Sequence, residues 1–263
     1  MADYNPRAVA SPTAVGVIDA GLRAYMLRVY NYMLAGLVIT GLAAYAAFAL
    51  SVTTNSSMAA HLSDGRIAAL PGGLMLTSIG VTLFTGPVMW VLLLGSLGLV
   101  LFLSFRIQHM SVGAATASFL GYAALIGVTF GSLFIVYTYA SIAQVFFITA
   151  ATFGAMSLWG YTTKRDLTGM GSFLFMGLIG VVIASLVGLF VHSSVLQWVI
   201  SVAGVIIFTG LTAYDTQKIK DMNIIGNAGT DEDRKEAIMG ALTLYLDFIN
   251  LFLFLLRIFG RRK

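Results

Sequence analysis

Seven long apolar segments limit what this chain can fold into more than any other feature of its sequence. Each has roughly 20 residues, enough for a helix to cross a hydrocarbon core about 30 Å thick. Only 10% of the residues are charged, whereas soluble domains have about a quarter charged. The sequence therefore predicts an all-α polytopic protein with seven transmembrane helices, and its first expected partner is the lipid bilayer. The predicted helices cover residues 29–50, 87–105, 112–134, 141–161, 171–191, 196–217 and 237–259.

The remaining segments are predicted to be loops and ends of a single membrane domain that covers residues 29–259. The N-terminal segment contains a predicted short amphipathic surface helix from Val15 onward. Pro71 interrupts the first outer loop, which predicts a partly ordered lid or a short interfacial helix rather than an eighth span. These segments are the N-terminal segment 1–28, the outer loop 51–86, the inner loop 218–236 and the basic tail 260–263.

The distribution of Lys and Arg predicts the orientation of the chain. With the N-terminus in the cytoplasm, most basic loop residues face inward, as the positive-inside rule requires, and the first outer loop holds only Arg66. We therefore predict an inner-membrane protein with a cytoplasmic N-terminus. The basic tail would lie outside if the seventh segment spans the membrane, against the rule, or inside if that segment is re-entrant.

Composition also excludes several classes of site. The chain has no cysteine, which rules out disulfides, thiolate metal sites and cysteine nucleophiles. Basic residues stand at the ends of apolar segments and not on one face, so no nucleic-acid partner is expected. The sequence has no phosphate loop or dinucleotide fingerprint, and its three histidines are too sparse for a zinc site. No cofactor is therefore expected.

Three charged residues fall inside the predicted spans. Arg257 is near a helix end, where a long side chain can reach the interface. Asp215 is in the last turn of the sixth span and Asp247 is near the middle of the seventh. A charge at mid-membrane costs roughly 2.5–3.5 kcal/mol, so these two aspartates are candidates for a functional site.

Polar residues accompany both aspartates at helical spacing. Asp247 shares one face with Thr243 and Asn250, while apolar residues occupy the rest of that helix. A single polar stripe predicts a helix that turns this face into the bundle and occupies its centre. Asp215 has a weaker stripe that includes Thr212.

If the sixth and seventh spans pack as antiparallel neighbours, Asp215 and Asp247 can meet. Two carboxylates about 4 Å apart repel by roughly 4 kcal/mol at an effective dielectric of about 20, so the pair would share one proton. We hypothesise that Arg106, at the end of the second span, competes for one aspartate. The alternatives are that Arg106 only obeys the positive-inside rule, and that the aspartates form a structural hydrogen bond.

At these residues the sequence resembles the Bax inhibitor family, the transmembrane Bax-inhibitor-motif proteins, in its bacterial branch. The likeness extends from about residue 20 to the end of the chain. The matching segments are Ala213-Tyr214-Asp215-Thr216-Gln217-Lys218-Ile219, Ala241-Leu242-Thr243-Leu244-Tyr245-Leu246-Asp247-Phe248-Ile249-Asn250-Leu251-Phe252 and, more loosely, Gly160-Tyr161-Thr162-Thr163-Lys164-Arg165-Asp166-Leu167.

The resemblance implies a seven-helix fold with the last helix surrounded by the other six, and a pH-sensitive calcium leak. Asp215 and Asp247 match the aspartate pair that senses pH in the family, and Arg106 corresponds only by position to an assisting arginine. Calcium and protons are the implied ions. Calcium prefers about six to eight oxygen ligands, so two carboxylates with Thr243 and Asn250 predict transient passage and no resident metal.

Three other functions share some of these sequence features. Intramembrane aspartyl proteases also carry two aspartates on neighbouring helices, but Asp247 follows Leu244-Tyr245-Leu246 and not a Gly-x-Gly segment, so no enzyme is expected. A non-conducting protein that binds and modulates a membrane protease or another membrane complex stays open. So does a proton-coupled ion exchanger, because one buried acid pair can serve either ion.

Overall fold

The computed structural model describes residues 12–61, 66–191, 193–222 and 229–263, with the backbone alone for residues 12–19. Its described elements are almost entirely helical. The helices are α1 (Pro12–Ser51), α2 (Ser78–Phe84), α3 (Pro87–Arg106), α4 (Val112–Phe130), α5 (Leu133–Val136), α6 (Tyr139–Thr162), α7 (Thr168–Gly188), α8 (Ser194–Met222) and α9 (Asp231–Phe259). Two short strands, β1 (Val52–Thr53) and β2 (Met75–Leu76), pair antiparallel.

Within the described residues, seven helices are long and apolar enough to span a membrane. They are α1, α3, α4 together with α5, α6, α7, α8 and α9. The prediction of an all-α polytopic membrane protein with seven spans is confirmed. Each span matches one predicted segment, in the same order.

The segment 218–236, which was predicted as an inner loop, is largely helical at its two ends. Helix α8 continues to Met222, and α9 begins at Asp231, so both ends of this segment are helical. The predicted bounds stop where charged residues appear, but a helix can continue beyond the hydrocarbon region. The side chain of Thr230 accepts a hydrogen bond from the Asp233 backbone N–H at the start of α9, and the acidic first turn complements the helix dipole.

The predicted surface helix from Val15 is not separate from the first span. Helix α1 runs without a break from Pro12 to Ser51, and the sequence has no proline between Pro12 and Pro71. The amphipathic prediction for the side chains of residues 15–19, like the disorder expected of the extreme N-terminus, lies outside what the structure describes.

The outer loop 51–86 folds against one end of the bundle, which we call the loop end. In it, Val52 of β1 pairs with Leu76 of β2, and the seven-residue helix α2 precedes α3. Residues 62–65 lie outside the described residues. We call the opposite end, where α9 begins, the N-terminal end.

Helix α9 is the most buried span. In its most apolar window 72% of the residues are buried, compared with 39% or less in the other six spans. It packs against α1, α4, α6 and α8. This packing orients the polar face of α9 toward protein rather than lipid. Complete encirclement by all six other spans stays a prediction.

Glycines allow α1 and α4 to approach closely. A side chain at Gly127 would overlap Thr40 and Ala43 of α1, and one at Gly131 would press on Ala47. Lipid offers no hydrophobic drive for helix association, so small residues at such contacts are what permit tight packing. The Gly127–Gly131 pair therefore forms part of the α1–α4 interface.

The C-terminal tail is attached to the loop end. Arg262 pairs with Tyr137 as an isolated β-bridge, and the Lys263 ammonium donates to the Phe134 carbonyl at 2.7 Å. The same ammonium lies 4.7 Å from the centre of the Tyr139 ring. Because α9 is continuous up to Phe259, the seventh segment crosses the whole bundle and is not re-entrant.

Candidate functional site: a buried aspartate pair

The structure brings Asp215 of α8 and Asp247 of α9 together. Helices α8 and α9 pack side by side, and the two carboxyl groups lie close enough to act on each other. Asp215 is half-buried, and Asp247 is only 4% exposed. Within the described residues, the Oδ2 atom of Asp247 is buried without a hydrogen-bond partner.

Two neighbouring carboxylates cannot both carry a full charge without strong repulsion. A single shared proton turns the contact into a carboxyl–carboxylate hydrogen bond, which is the arrangement that acid dyads adopt. The unpartnered Oδ2 leaves one acceptor for a proton, a water molecule or a cation. The pair can therefore exchange protons or contact a passing cation.

The predicted partner Arg106 is not at this site. It lies exposed at the end of α3, immediately before a 3₁₀ turn at Ile107–His109, and the described residues give it no ion pair. That turn contacts α9 near Lys235, whose ammonium donates to the Gln108 carbonyl. Lys235 precedes Asp247 by 12 residues, or about 18 Å of helix.

Lys218 is the cation whose charge acts on Asp215. It follows Asp215 by one helical turn on α8, and its ammonium lies 6.0 Å from the centre of the Tyr214 ring. Lys218 is exposed, so solvent screens its effect on the buried pair.

The predicted supporting residues use their donors within their own helices. Thr212 donates to the Phe208 carbonyl at 2.7 Å, Thr243 to the Met239 carbonyl at 3.1 Å and Asn250 to the Leu246 carbonyl at 2.8 Å. Their oxygens can still accept hydrogen bonds or face a cation. The hydrogen bonds described for these three side chains do not include one to either aspartate.

The segment that contains Asp215 lies against the segment that follows α6. A side chain at Gly160 would overlap the Ala213 backbone. The Gln217 side chain accepts from the Leu167 backbone N–H at 2.9 Å and donates to the Arg165 carbonyl at 2.8 Å. The segments 160–167 and 213–219, which were singled out separately in the sequence, therefore pack against each other. These contacts hold the C-terminal half of α8 in place.

A chain of hydroxyl groups crosses three helices beside the pair. The Tyr30 and Ser157 hydroxyls are 2.6 Å apart, Ser157 and Thr216 are 2.9 Å apart, and Thr216 donates to the Thr212 carbonyl. Tyr30 and Ser157 also line an apolar groove of about 730 Å³ between α1 and α6. Sequence analysis missed this chain, because isolated hydroxyl residues in apolar helices give no distinctive pattern.

A second buried acid on α9 was also missed. The Arg28 guanidinium lies 2.6 Å from the Asp233 carboxylate, which also accepts from the Gly229 backbone N–H at 2.7 Å. Asp233 is only 3% exposed. Both residues lie outside the predicted spans, where charged side chains are common and give no distinctive signal.

Two stacked phenylalanines separate the aspartate pair from the loop end. The rings of Phe208 and Phe254 are 5.8 Å apart, and both residues are buried. Each is seven residues from the aspartate on its own helix, or about 10 Å toward the loop end. A side chain at Gly204 would overlap the Phe254 ring, so this apolar layer fills the space between α8 and α9.

The described residues contain no group of three or more His, Cys, Asp or Glu side chains that could hold a metal ion. The oxygen atoms at the aspartate pair could contact calcium in transit. Two carboxylates fall well short of the ligand number that tight calcium binding uses.

Comparison with known proteins places these features in a family. The family described as "Inhibitor of apoptosis-promoting Bax1" matches residues 22–263. This chain belongs to the Bax inhibitor family. The matched range includes both aspartates and all seven spans except the first residues of α1.

Several bacterial proteins resemble the chain over nearly its whole length. Inner membrane protein YbhL of Escherichia coli (strain K12) is 49% identical over 246 residues, which cover 93% of this chain and 94% of that protein. A protein of Rickettsia prowazekii (strain Madrid E) is 43% identical over 264 residues and covers 100% of both chains. A protein of Caulobacter vibrioides is 42% identical over 267 residues, again with 100% coverage of both.

Proposed function

We propose that this protein is a pH-sensitive calcium leak channel of the inner membrane, gated by Asp215 and Asp247. The observation that carries the proposal is the contact between their two carboxyl groups on neighbouring helices. A protein that only needed a stable α8–α9 interface would do better with apolar side chains, because a charge at mid-membrane is costly.

In the proposed mechanism, the shared proton holds α8 and α9 together at the pair. When the proton leaves, two negative charges face each other, and their repulsion favours separation of the two helices. The freed carboxylates can then attract a divalent cation, as acidic groups do in cation pathways. Proton and calcium thus compete for the same oxygens, which makes the flux depend on pH.

The stack of Phe208 and Phe254 would be the closed barrier. Both rings are buried between the pair and the loop end, and hydrophobic constrictions block ions by excluding water. Because each ring is two helical turns from an aspartate, a displacement of α8 relative to α9 at the pair would also displace the two rings. The channel would therefore need no separate gate.

The proposed orientation has the N-terminus in the cytoplasm, so the N-terminal end of the bundle faces inward and the loop end faces outward. The Lys and Arg distribution supports this orientation, and the relative from E. coli is called an inner membrane protein. The absence of cysteine makes labelling direct. Single cysteines at Lys164 and at Ser57 should react with a membrane-impermeant reagent from inside and outside, respectively; the reverse pattern would contradict the orientation.

The deciding experiment is calcium flux into liposomes that contain the purified protein, at pH 6, 7 and 8. The variants are Asp215→Asn and Asp247→Asn, which keep side-chain size but cannot share an acid proton. Asp166→Asn is the matched control, because Asp166 is exposed and outside the spans. We expect a flux that changes with pH in the wild type and the control, and that loses this dependence in both pair variants.

Two results would contradict the leak. No flux above that of empty liposomes in any sample would favour the non-conducting alternative, a protein that modulates a membrane protease or another complex. Uptake of calcium against its gradient, driven by a proton gradient, would favour the exchanger. The mechanism assigns no catalytic residue, and a hydrolytic activity that depends on both aspartates would overturn it.

A further inference from the structure

A polar cavity of about 600 Å³ opens at the loop end, where α7, α8, α9 and the tail meet. Its volume lies within the range of small-molecule sites. Unlike the apolar groove between α1 and α6, it is lined by several side chains that can donate or accept hydrogen bonds. The residues that matter here are Ser185, Gln197, Trp198, Ser201, Arg257 and Arg262.

The two arginines give the cavity a positive charge that no carboxylate side chain is seen to neutralise. In the described part of the chain, neither Arg257 nor Arg262 forms an ion pair. Apart from the buried pair, all the described Asp and Glu residues lie in or beside the N-terminal end of the bundle. Each guanidinium offers five N–H donors in a planar fork, a geometry that suits phosphate oxygens.

We expect the cavity to lie at the level of a membrane interface. Arg257 is ten residues beyond Asp247, about 15 Å along α9 toward the loop end. Trp198, which is 60% exposed, is of the residue type that concentrates at membrane interfaces. Exposed apolar residues follow the end of α7 and stand in the first turn of α8. Leu189 is one of them and lines the cavity; Phe190 and Val195 are two others.

We propose that this cavity binds a phosphate group through Arg257 and Arg262. Ser185, Gln197 and Ser201 would supply further hydrogen bonds from α7 and α8. An anionic phospholipid headgroup and a soluble phosphate both carry this chemistry. The exposed apolar rim would hold the acyl chains of a lipid, whereas a soluble phosphate would use only the polar lining.

The test compares the wild type with Arg257→Gln, Arg262→Gln and the double variant, in detergent and in nanodiscs. Native mass spectrometry counts retained phosphatidylglycerol against phosphatidylcholine. Inorganic phosphate is titrated separately into protein in phosphatidylcholine nanodiscs, with thermal unfolding as the readout. Arg261→Gln is the matched control, because it removes one charge from the same tail and does not line the cavity.

We expect phosphatidylglycerol to be retained in preference to phosphatidylcholine. If each single substitution weakens this retention about tenfold and Arg261→Gln leaves it unchanged, the result supports the site and shows that a lipid supplies the phosphate group. Stabilisation by inorganic phosphate with the same dependence on Arg257 and Arg262 would support the site with a soluble source. If neither probe distinguishes the double variant from Arg261→Gln, the proposal is wrong. A circular dichroism spectrum equal to that of the wild type checks that each variant is folded.

Discussion

Helix α9 carries two buried acids whose partner side chains differ in charge. Asp233 and Asp247 are 14 residues apart, about 21 Å along the helix, and are 3% and 4% exposed. Asp233 faces the Arg28 guanidinium at 2.6 Å, whereas Asp247 faces the carboxyl group of Asp215. Two equally buried aspartates on one helix thus differ in the charge of their partners, and the proposed proton sensor is the one whose partner is another acid.

An acid that is paired with a cation keeps its charge over the physiological range, because guanidinium does not lose its proton there. An acid that is paired with another acid needs a proton to stay in contact. The first arrangement fixes α1 to α9 at the N-terminal end. In the proposed mechanism the second makes the α8–α9 contact depend on pH, and four substitutions test this contrast.

The largest expected effect is that of Arg28→Gln. It leaves Asp233 buried without its cation, which should lower the free energy of unfolding by about 3 kcal/mol, the lower end for a broken buried pair, because Arg28 is part-exposed. Unfolding in mixed micelles with increasing SDS at pH 7 measures this loss. Arg165→Gln, an exposed arginine, is the control. An equal loss in both variants would show that the ion pair adds no stability.

The next effect concerns Asp247→Asn and how stability varies with pH. If the folded pair holds one proton that unfolded aspartates release, the folded state binds more protons and its stability falls as pH rises. The slope is at most about 1.4 kcal/mol per pH unit. Unfolding of the wild type between pH 6 and 8 should show this slope, and the variant should lose it. An unchanged slope in the variant would place the titrating group elsewhere.

Arg106→Gln should have little effect on the pair. Arg106 lies beside the turn that contacts α9 about 18 Å from Asp247, so we expect the pH dependence of calcium flux to match that of the wild type. The same flux assay in liposomes measures it. A shift of the pH midpoint by a full unit would show that the arginine reaches the pair in another conformation.

The smallest effect is expected for Asp166→Asn. A hydrogen bond from the Thr168 side chain, together with one from its backbone N–H, lowers the pKa of Asp166. This group therefore adds stability above the ordinary Asp pKa, and the contribution disappears as pH falls through the lowered value. Thermal unfolding should show a slight loss at pH 7 that becomes smaller as the pH is lowered toward 3. A larger loss at pH 3 than at pH 7 would reverse the sign.

Much of the fold could be predicted from sequence because the bilayer imposes a length on every span. The candidate pair could also be found this way, since Asp215 and Asp247 stand out against apolar neighbours. The helix ends at Met222 and Asp231 could not be predicted from the sequence, because a helix continues past the first charged residues outside the hydrocarbon region. Hydropathy detects where the chain is in lipid and not where a helix ends.

The lateral arrangement of the helices was beyond the sequence analysis. Arg106 and Arg28 were both placed at one side of the membrane by the same rule, but only Arg28 meets an acid on α9. The hydroxyl chain from Tyr30 through Ser157 to Thr216 likewise depends on which helices are neighbours. Periodicity gives the face that a helix buries, and it does not identify the helix that covers that face.

The contacts between α1 and α9 also affect how the protein is made. Arg28 bonds to Asp233, and Thr40 bonds to Tyr245, across 205 residues of sequence in each case. At a synthesis rate of 5–20 residues per second, about 10 to 40 s pass before each partner emerges from the ribosome. During that interval Arg28 and Thr40 have not yet met their partners on the last helix. Factors that shield polar groups in lipid during membrane insertion would act most strongly on this protein before α9 arrives.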